Sequence, residues 1–175
     1  MTDPRDKVGR QGQPQTQPQS LLFVCSGNIC RSPSAEGVMR KLLDEAGLSQ
    51  VQTGSVGTGG WHVGDPPDKR ARDAAARRGY DLSRLRAEQL ADGHFQQFDR
   101  LFAMDLGHLR HMRARVPAPL QDRVRLYLHP LDPEVAAGRE VPDPYYGDLS
   151  DFEEALDIVE AGAREILAAL QAGRL

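Results

Sequence analysis

Leu21, Leu22, Phe23 and Val24 form an unbroken apolar run. Four consecutive apolar positions, with no polar residue between them, suit a strand buried on both faces, as in the middle of a parallel sheet. The period then changes. Ala35, Val38, Met39, Leu42, Leu43 and Ala46 recur at three- and four-residue intervals, which is one face of a helix. Pro33 suits a first helical position and Gly47 a helix end. Val51–Ser55 reads as a weak strand, and Thr53–Gly64 as a Gly-rich loop that holds Trp61. Pro66-Pro67 is predicted to open a second helix running to Gly79. Phe98–Met104 (FDRLFAM) and Val124–Leu128 (VRLYL) read as strands. Between them, Asp105–Arg115 carries Leu106, Leu109 and Met112 at helical spacing. For the last helix, Ser150 and Glu153 match an S-x-x-E capping box, and Phe152, Leu156, Val159, Ala163, Ile166 and Leu170 continue the helical stripe.

Strand and helix therefore alternate four times. That order predicts a three-layer α/β fold, a four-stranded parallel sheet flanked by helices. Ligands on such sheets bind beyond the carboxyl ends of the strands, so the residues after Val24 and Met104 are the first places to look for chemistry. Residues 1–20 (MTDPRDKVGRQGQPQTQPQS) have no apolar period. They read as a disordered Gln/Pro-rich tail before a single domain at 21–175.

Composition narrows the class. The 175 residues are 39% hydrophobic and 27% charged, a globular profile large enough to bury a core. No apolar run approaches the roughly 20 residues of a membrane span, and Leu21–Cys25 is too short for a signal-peptide core. A cytoplasmic location without a membrane partner is expected. Two cysteines cannot build a disulfide scaffold. A net charge of −3 argues against a nucleic-acid partner. The charge is uneven, however. Lys69–Arg86 carries seven basic residues against Asp73 and Asp81, whereas Arg139–Glu160 carries eight acids against one Arg. These are either two solvated helical faces or a basic rim that draws in an anionic substrate.

The residues just after the first strand read Cys25-Ser26-Gly27-Asn28-Ile29-Cys30-Arg31-Ser32-Pro33. A loop leading into a helix offers unpaired N–H groups and the positive end of the helix dipole, so it is an anion site. Five residues between Cys25 and Arg31 are enough to wrap a tetrahedral oxyanion with main-chain amides. Gly27 tolerates the positive φ expected in such a wrap, and Asn28 tolerates it next best. Arg31 supplies a planar fork for two phosphate oxygens. The amides and guanidinium favour a thiolate at Cys25, aimed at the phosphorus of a bound ester. Ser32 can donate a hydrogen bond to that sulfur. A metal site at Cys25 and Cys30 would need further ligands, and His62, His94, His108, His111 and His129 form no ligand cluster in the sequence. No metal or other cofactor is expected. A Walker-type loop is excluded because no Gly-Lys-Ser/Thr is present.

The stretch LLFVCSGNICRSPSAEGVMRKLL resembles the low-molecular-weight protein tyrosine phosphatases of bacterial type. The resemblance implies a phosphocysteine mechanism with Cys25 as nucleophile and Arg31 as phosphate clamp, and it places Ser26, Gly27, Asn28, Ile29, Cys30 and Ser32 around the phosphate. By spacing alone Asp143, Asp132 and Asp148 compete for the role of proton donor. Asp143-Pro144-Tyr145-Tyr146 resembles the family's general-acid loop, which implies Asp143 as acid and Tyr145 and Tyr146 as pocket walls. The run Gly57–Gly64 resembles the opposite wall, with Trp61 stacking on the substrate ring and His62 beside it. The resemblance further implies that Ser55 hydrogen-bonds the Asn28 side chain and that Asp105 is a structural support. Ser26 departs from the Leu or Thr common in the family, and Leu82–Gln89 matches only in part. The implied substrate is a phosphotyrosine-containing protein or a small aryl phosphate, acted on by a monomer.

Other readings compete with this one. A protein arginine phosphatase resembles the same family but carries Thr where this chain has Ile29, and an apolar wall suits a phenyl ring better. Arsenate reductase needs two further cysteines, and none follows Cys30. A catalytically idle phosphate-binding module would lack the nucleophile, the Arg or the acid. Cys30 predicts reversible oxidation through a disulfide with Cys25.

Overall fold

The computed structural model describes residues 17–175. The disordered tail expected at 1–20 lies, as far as residue 16, outside the described residues. Strand β1 is Ser20–Cys25, so the domain's first strand begins one residue before the predicted boundary. There follow α1 (Arg31–Glu45), β2 (Gln52–Gly57), α2 (Lys69–Arg77), α3 (Gly93–Gln97), β3 (Arg100–Ala103), α4 (Leu106–Arg113), a 3-10 turn (Ala118–Arg123), β4 (Val124–Leu126) and α5 (Leu149–Gln171). The four strands lie in the order β2-β1-β3-β4 and every neighbouring pair is parallel.

β1 is central, which explains its unbroken apolar run: all six of its residues are buried. Successive side chains leave opposite faces of a strand. Leu21, Phe23 and Cys25 therefore join the core under α1 and α5, while Leu22 and Val24 join the core under α3 and α4. In the first core Phe23 stacks on Phe102, with ring centroids 5.8 Å apart, and Tyr127 meets both rings edge-on. The fully buried Tyr127 hydroxyl donates to the Val159 carbonyl at 2.7 Å, tying β4's end to α5.

Several boundaries differ from the sequence reading. α1 starts at Arg31, so Pro33 is its third residue; first-turn N–H groups have no intrahelical acceptor, and the missing one costs nothing there. α2 starts at Lys69 rather than at Pro66-Pro67, because Asp68 caps it by accepting from Arg70 N at 2.8 Å. The box at α5 is Asp148/Asp151, not Ser150/Glu153. Asp148 accepts from Ser150 N at 2.8 Å, and Asp151 accepts from Asp148 N at 2.7 Å. Glu153 is free of capping duty and pairs with Arg77 and Arg78. α3 and the 3-10 turn were not predicted; five and six residues are too few to display a helical period.

The two charged segments face each other. Arg78 reaches Glu153 at 2.7 Å, Asp157 at 2.6 Å and Glu160 at 3.4 Å. Lys69 pairs with Asp73 at 2.6 Å and Arg70 with Asp68 at 2.8 Å, and Arg72 and Arg86 bind main-chain carbonyls. The basic run is thus mostly spoken for by α5 and by its own neighbours, which favours the solvated-face reading over a substrate-drawing rim. Among the described residues no helix is long and apolar enough to cross a membrane.

Gly162 shows how tightly α5 sits on the sheet. A Cβ there would collide with the Tyr127 ring and lie 2.9 Å from Leu128 Cδ2. Replacing a helical Gly by Ala ordinarily gains about 1 kcal/mol, but overpacking costs about 1–3 kcal/mol. The Tyr127 ring cannot move aside, so Gly162→Ala is expected to lower the melting temperature by a few degrees in calorimetry; a rise would show that α5 can lift off the sheet at no cost.

Candidate active site

β1 ends at Cys25 and α1 begins at Arg31, and the chain between them folds into a tight loop at the carboxyl edge of the sheet. Several of its carbonyls are taken by neighbouring main chain. Cys25 O accepts from Thr58 N at 2.8 Å, Ser26 O from Gly59 N at 2.9 Å, and Ile29 O from Asp68 N at 2.8 Å. Among the described residues none of the main-chain amides of Ser26–Arg31 donates to a protein acceptor. A run of unpaired amides at a helix start is the local chemistry of an oxyanion cradle.

Asn28 is the loop's left-handed residue, with φ +56. Gly27 is not, contrary to the sequence reading. Its need is space, since a Cβ there would lie 3.0 Å from the His62 ring. Asn28 is 2% exposed and both polar atoms of its amide are bonded: Nδ2 donates to Ser32 Oγ at 2.8 Å, and Oδ1 accepts from Glu88 N at 2.9 Å. Ser32 Oγ lies 3.0 Å from Cys25 Sγ. Because Asn28 donates to Ser32, the Ser32 hydroxyl proton is free to go to the sulfur at 3.0 Å or to the more distant Val56 carbonyl at 3.4 Å. Ser55 does not hydrogen-bond Asn28. Its hydroxyl donates to Glu36 Oε2 at 2.6 Å, and the main chain of Glu88 takes the place expected for it. Burial pushes the Glu36 carboxyl up, with the Ser55 bond opposing.

Arg31 is 5% exposed. Its Nη1 donates to Asp105 Oδ2 at 2.9 Å and to the Val141 carbonyl at 3.1 Å, and its Nη2 lies 3.5 Å from Asp143 Oδ2. Asp105 caps α4 by accepting from His108 N at 2.8 Å. Burial alone would raise the Asp105 carboxyl, but His108's ring and main chain together with Arg31 outweigh it and hold the group well below the usual carboxylate range.

These groups border one cavity of about 390 Å³. Cys25, Ser26, Gly27, Ile29, Cys30 and Arg31 come from the loop after β1. Trp61 and His62 come from the loop after β2, and Asp143, Tyr145 and Tyr146 from the segment before α5. Asn28, Ser32, Ser55 and Asp105 do not line it: Asn28 and Ser32 bond each other, Asp105 holds Arg31, and Ser55 bonds Glu36. Trp61 is 76% exposed and Tyr146 92% exposed, so both rings stand at the mouth rather than in the core. Cys30 is a free thiol that burial pushes well up, with Asp68, Cys25 and Asp143 adding to the effect.

The segment carrying Asp143 is fastened at several points. Val141 N donates to Met104 O at 2.9 Å, and Tyr145 N donates to Asp143 Oδ1 at 3.1 Å. Arg70 donates to Tyr145 O at 3.1 Å and Gly147 O at 3.2 Å, and its guanidinium lies 4.4 Å from the centre of the Phe152 ring. The sequence reading missed Arg70, Glu36, the Glu88 main chain and His108. For His108 a signal existed: it stands three residues after Asp105, on the first turn of α4. For Arg70 there was none, because its partners are 75 and 77 residues away.

Residues 20–174 match the family described as low molecular weight phosphotyrosine protein phosphatase. A Streptomyces coelicolor low molecular weight protein-tyrosine-phosphatase is 46% identical over 154 residues, covering 86% of this chain and 93% of that one. The human low molecular weight phosphotyrosine protein phosphatase is 37% identical over 137 residues, covering 77% and 85%. Among solved structures, a protein tyrosine phosphatase from Entamoeba histolytica superposes with a TM-score of 0.82 at 34% identity, covering 90% of this chain and 99% of that one.

Gly57 closes β2 directly against the loop. A Cβ there would lie 2.7 Å from Ser26 O, 3.0 Å from Gly27 C and 3.1 Å from Asn28 N, all main-chain atoms. Gly57→Ala must therefore displace the amides themselves. A misplacement near 1 Å at a site of this kind costs about 100-fold. Calorimetric titration with inorganic phosphate is expected to show a loss of that order, and undiminished binding would show that the amides do not form the cradle.

Proposed function

This chain belongs to the low molecular weight phosphotyrosine protein phosphatase family, whose reaction is hydrolysis of phosphotyrosine through a phosphocysteine, and we propose that Cys25 is its nucleophile, Arg31 its phosphate clamp and Asp143 its general acid. The observation that carries the assignment is the convergence of a thiol, a buried guanidinium and a loop carboxylate on one cavity beside a row of unpaired amides.

The amides of Ser26–Arg31 and the Arg31 fork hold the non-bridging oxygens of the phosphate. Cys25 Sγ attacks phosphorus in line; the S–P bond forms as the P–O bond to the phenol breaks, and Asp143 gives its proton to the departing oxygen. In the second half Asp143 takes a proton from water, the water oxygen bonds phosphorus, and the thiolate leaves. Ser32, 3.0 Å from the sulfur, steadies it as nucleophile and as leaving group. Donors fixed in advance around the transferring group are often the largest contribution to such rates. Ile29, Trp61, His62, Tyr145 and Tyr146 supply the surroundings for the aryl ring of a phosphotyrosine-containing protein or a small aryl phosphate.

The same loop supports redox control. Peroxide oxidises the Cys25 thiolate to a sulfenic acid and leaves as hydroxide. The Cys30 thiol then attacks that sulfur, forming a disulfide and releasing water.

Assayed on an aryl phosphate, Cys25→Ser is expected to abolish turnover and Asp143→Asn to lower kcat by about 10²–10⁴. A Cys25→Ser variant with wild-type rate would overturn the assignment. After peroxide treatment, dithiothreitol is expected to restore the wild type but not Cys30→Ala. Equal recovery in both would exclude the disulfide.

A further inference from the structure

His108 is buried, 5% exposed, and has no part in the chemistry described above. Its ring nonetheless touches that machinery on both sides. Nε2 lies 2.8 Å from Ser26 Oγ. Nδ1 lies 3.0 Å from Asp105 Oδ1 but off the line of a hydrogen bond, and the His108 main-chain N–H donates to that same oxygen at 2.8 Å. Asp105 in turn holds Arg31 at 2.9 Å through its other oxygen. A chain of close polar contacts therefore runs Ser26–His108–Asp105–Arg31, its middle link made by the His108 main chain with the ring beside it. Its two ends are the first and last residues of the anion-binding loop, and its two inner members sit on the cap and first turn of α4.

We propose that His108 is a positioning residue for the phosphatase reaction: one imidazole ties the two ends of the phosphate loop together, setting Ser26 directly and Arg31 through Asp105. The inference rests on the assignment of Cys25 and Arg31 made above.

The chemistry of the chain fixes its direction. A carboxylate only accepts, so Asp105 takes the His108 main-chain N–H and favours the proton on the ring nitrogen 3.0 Å from it. In a neutral imidazole the other nitrogen is then an acceptor, and the Ser26 hydroxyl donates to it. Ser26 Oγ is thereby held toward α4, which fixes the main-chain amide of the residue following the nucleophile. The same ring packs 3.0 Å from Asp105 Oδ1 and, with the His108 main-chain N–H, limits the rotation of Asp105, whose second oxygen sets the plane of the Arg31 fork. Loosening His108 frees both ends of the loop at once, whereas loosening Ser26 frees one.

The test uses the full chain with an aryl phosphate as substrate and inorganic phosphate as competitive inhibitor, at a temperature where circular dichroism shows every variant folded. His108→Ala is expected to lower kcat and weaken phosphate inhibition by about tenfold to 100-fold, and Ser26→Ala by less. The double variant is expected to be no worse than His108→Ala alone. His108→Gln, which keeps a polar group within reach of Ser26, is expected to recover part of the loss. A merely structural histidine would lower the melting temperature while leaving the phosphate inhibition constant of the folded protein unchanged, and that outcome overturns the proposal. So does a double variant whose loss is the product of the two single losses. If His108→Ala does not fold, Ser26→Ala and His108→Gln still decide: wild-type phosphate inhibition in both would overturn it. Cys25→Ser separates the two readings. Should it turn over, the site assignment itself fails; should it be dead while His108→Ala turns over and is inhibited by phosphate like wild type, only the role of His108 fails.

Discussion

A guanidinium that is almost wholly removed from water is the constraint around which this molecule is arranged. An unpaired buried charge is prohibitively costly, and removing one partner of a buried pair costs about 3–5 kcal/mol. Arg31 meets that demand with Asp105 at 2.9 Å and the Val141 carbonyl at 3.1 Å. Each partner comes from a different place: Arg31 from the start of α1, Asp105 from the cap of α4, Val141 from the segment leading to α5. The charge can be buried only when three separate parts of the chain have reached the carboxyl edge of the sheet. The same placement leaves Nη2 toward the cavity, 3.5 Å from Asp143. What stabilises the charge thus also orients it.

The loop in front of that charge is held from behind. A left-handed conformation at a residue with a side chain costs roughly 1–2 kcal/mol, and a glycine at position 28 would avoid the cost. Asn28 offsets it by donating to Ser32 and accepting from Glu88 N, so the strained residue also sets the hydroxyl that lies beside the sulfur. Glycine is used where space is short instead: Gly57 against the loop's main chain and Gly27 against His62. Main-chain conformation and close approach are separate demands, and this loop assigns them to different residues.

What was legible in the sequence follows from range. β1 was readable because central burial leaves an unbroken apolar run, and the stripes of α1 and α5 because long helices show their period. The Cys25–Arg31 loop was readable because its chemistry is compressed into seven consecutive residues, and its likeness to a known family carried Asp143 with it. Partners brought together by folding were not. The family likeness points Ser55 at Asn28, yet it bonds Glu36, a choice made by which side chains β2 and α1 bring face to face. Ser150 and Glu153 satisfied a capping pattern, yet Asp148 and Asp151 offered a stronger acceptor pair two residues earlier. The placement of Gly27 at positive φ erred because glycine answers two different needs, and composition does not separate them.

The opposed charges of α2 and α5 acquire a purpose from the same geometry. Each exposed pair is worth little, about 0–1 kcal/mol, and their sum is not what holds the fold. Arg78 spans Glu153, Asp157 and Glu160, which fixes the register of α2 along the first turns of α5. Arg70 lies two turns earlier on α2 and reaches the other way, to the carbonyls of Tyr145 and Gly147 and over the Phe152 ring. The segment bearing Asp143 is consequently gripped from α2 at the point where it enters α5. A row of weak surface pairs, of no consequence as a stability ledger, acts as a strut that sets where a carboxylate meets the cavity.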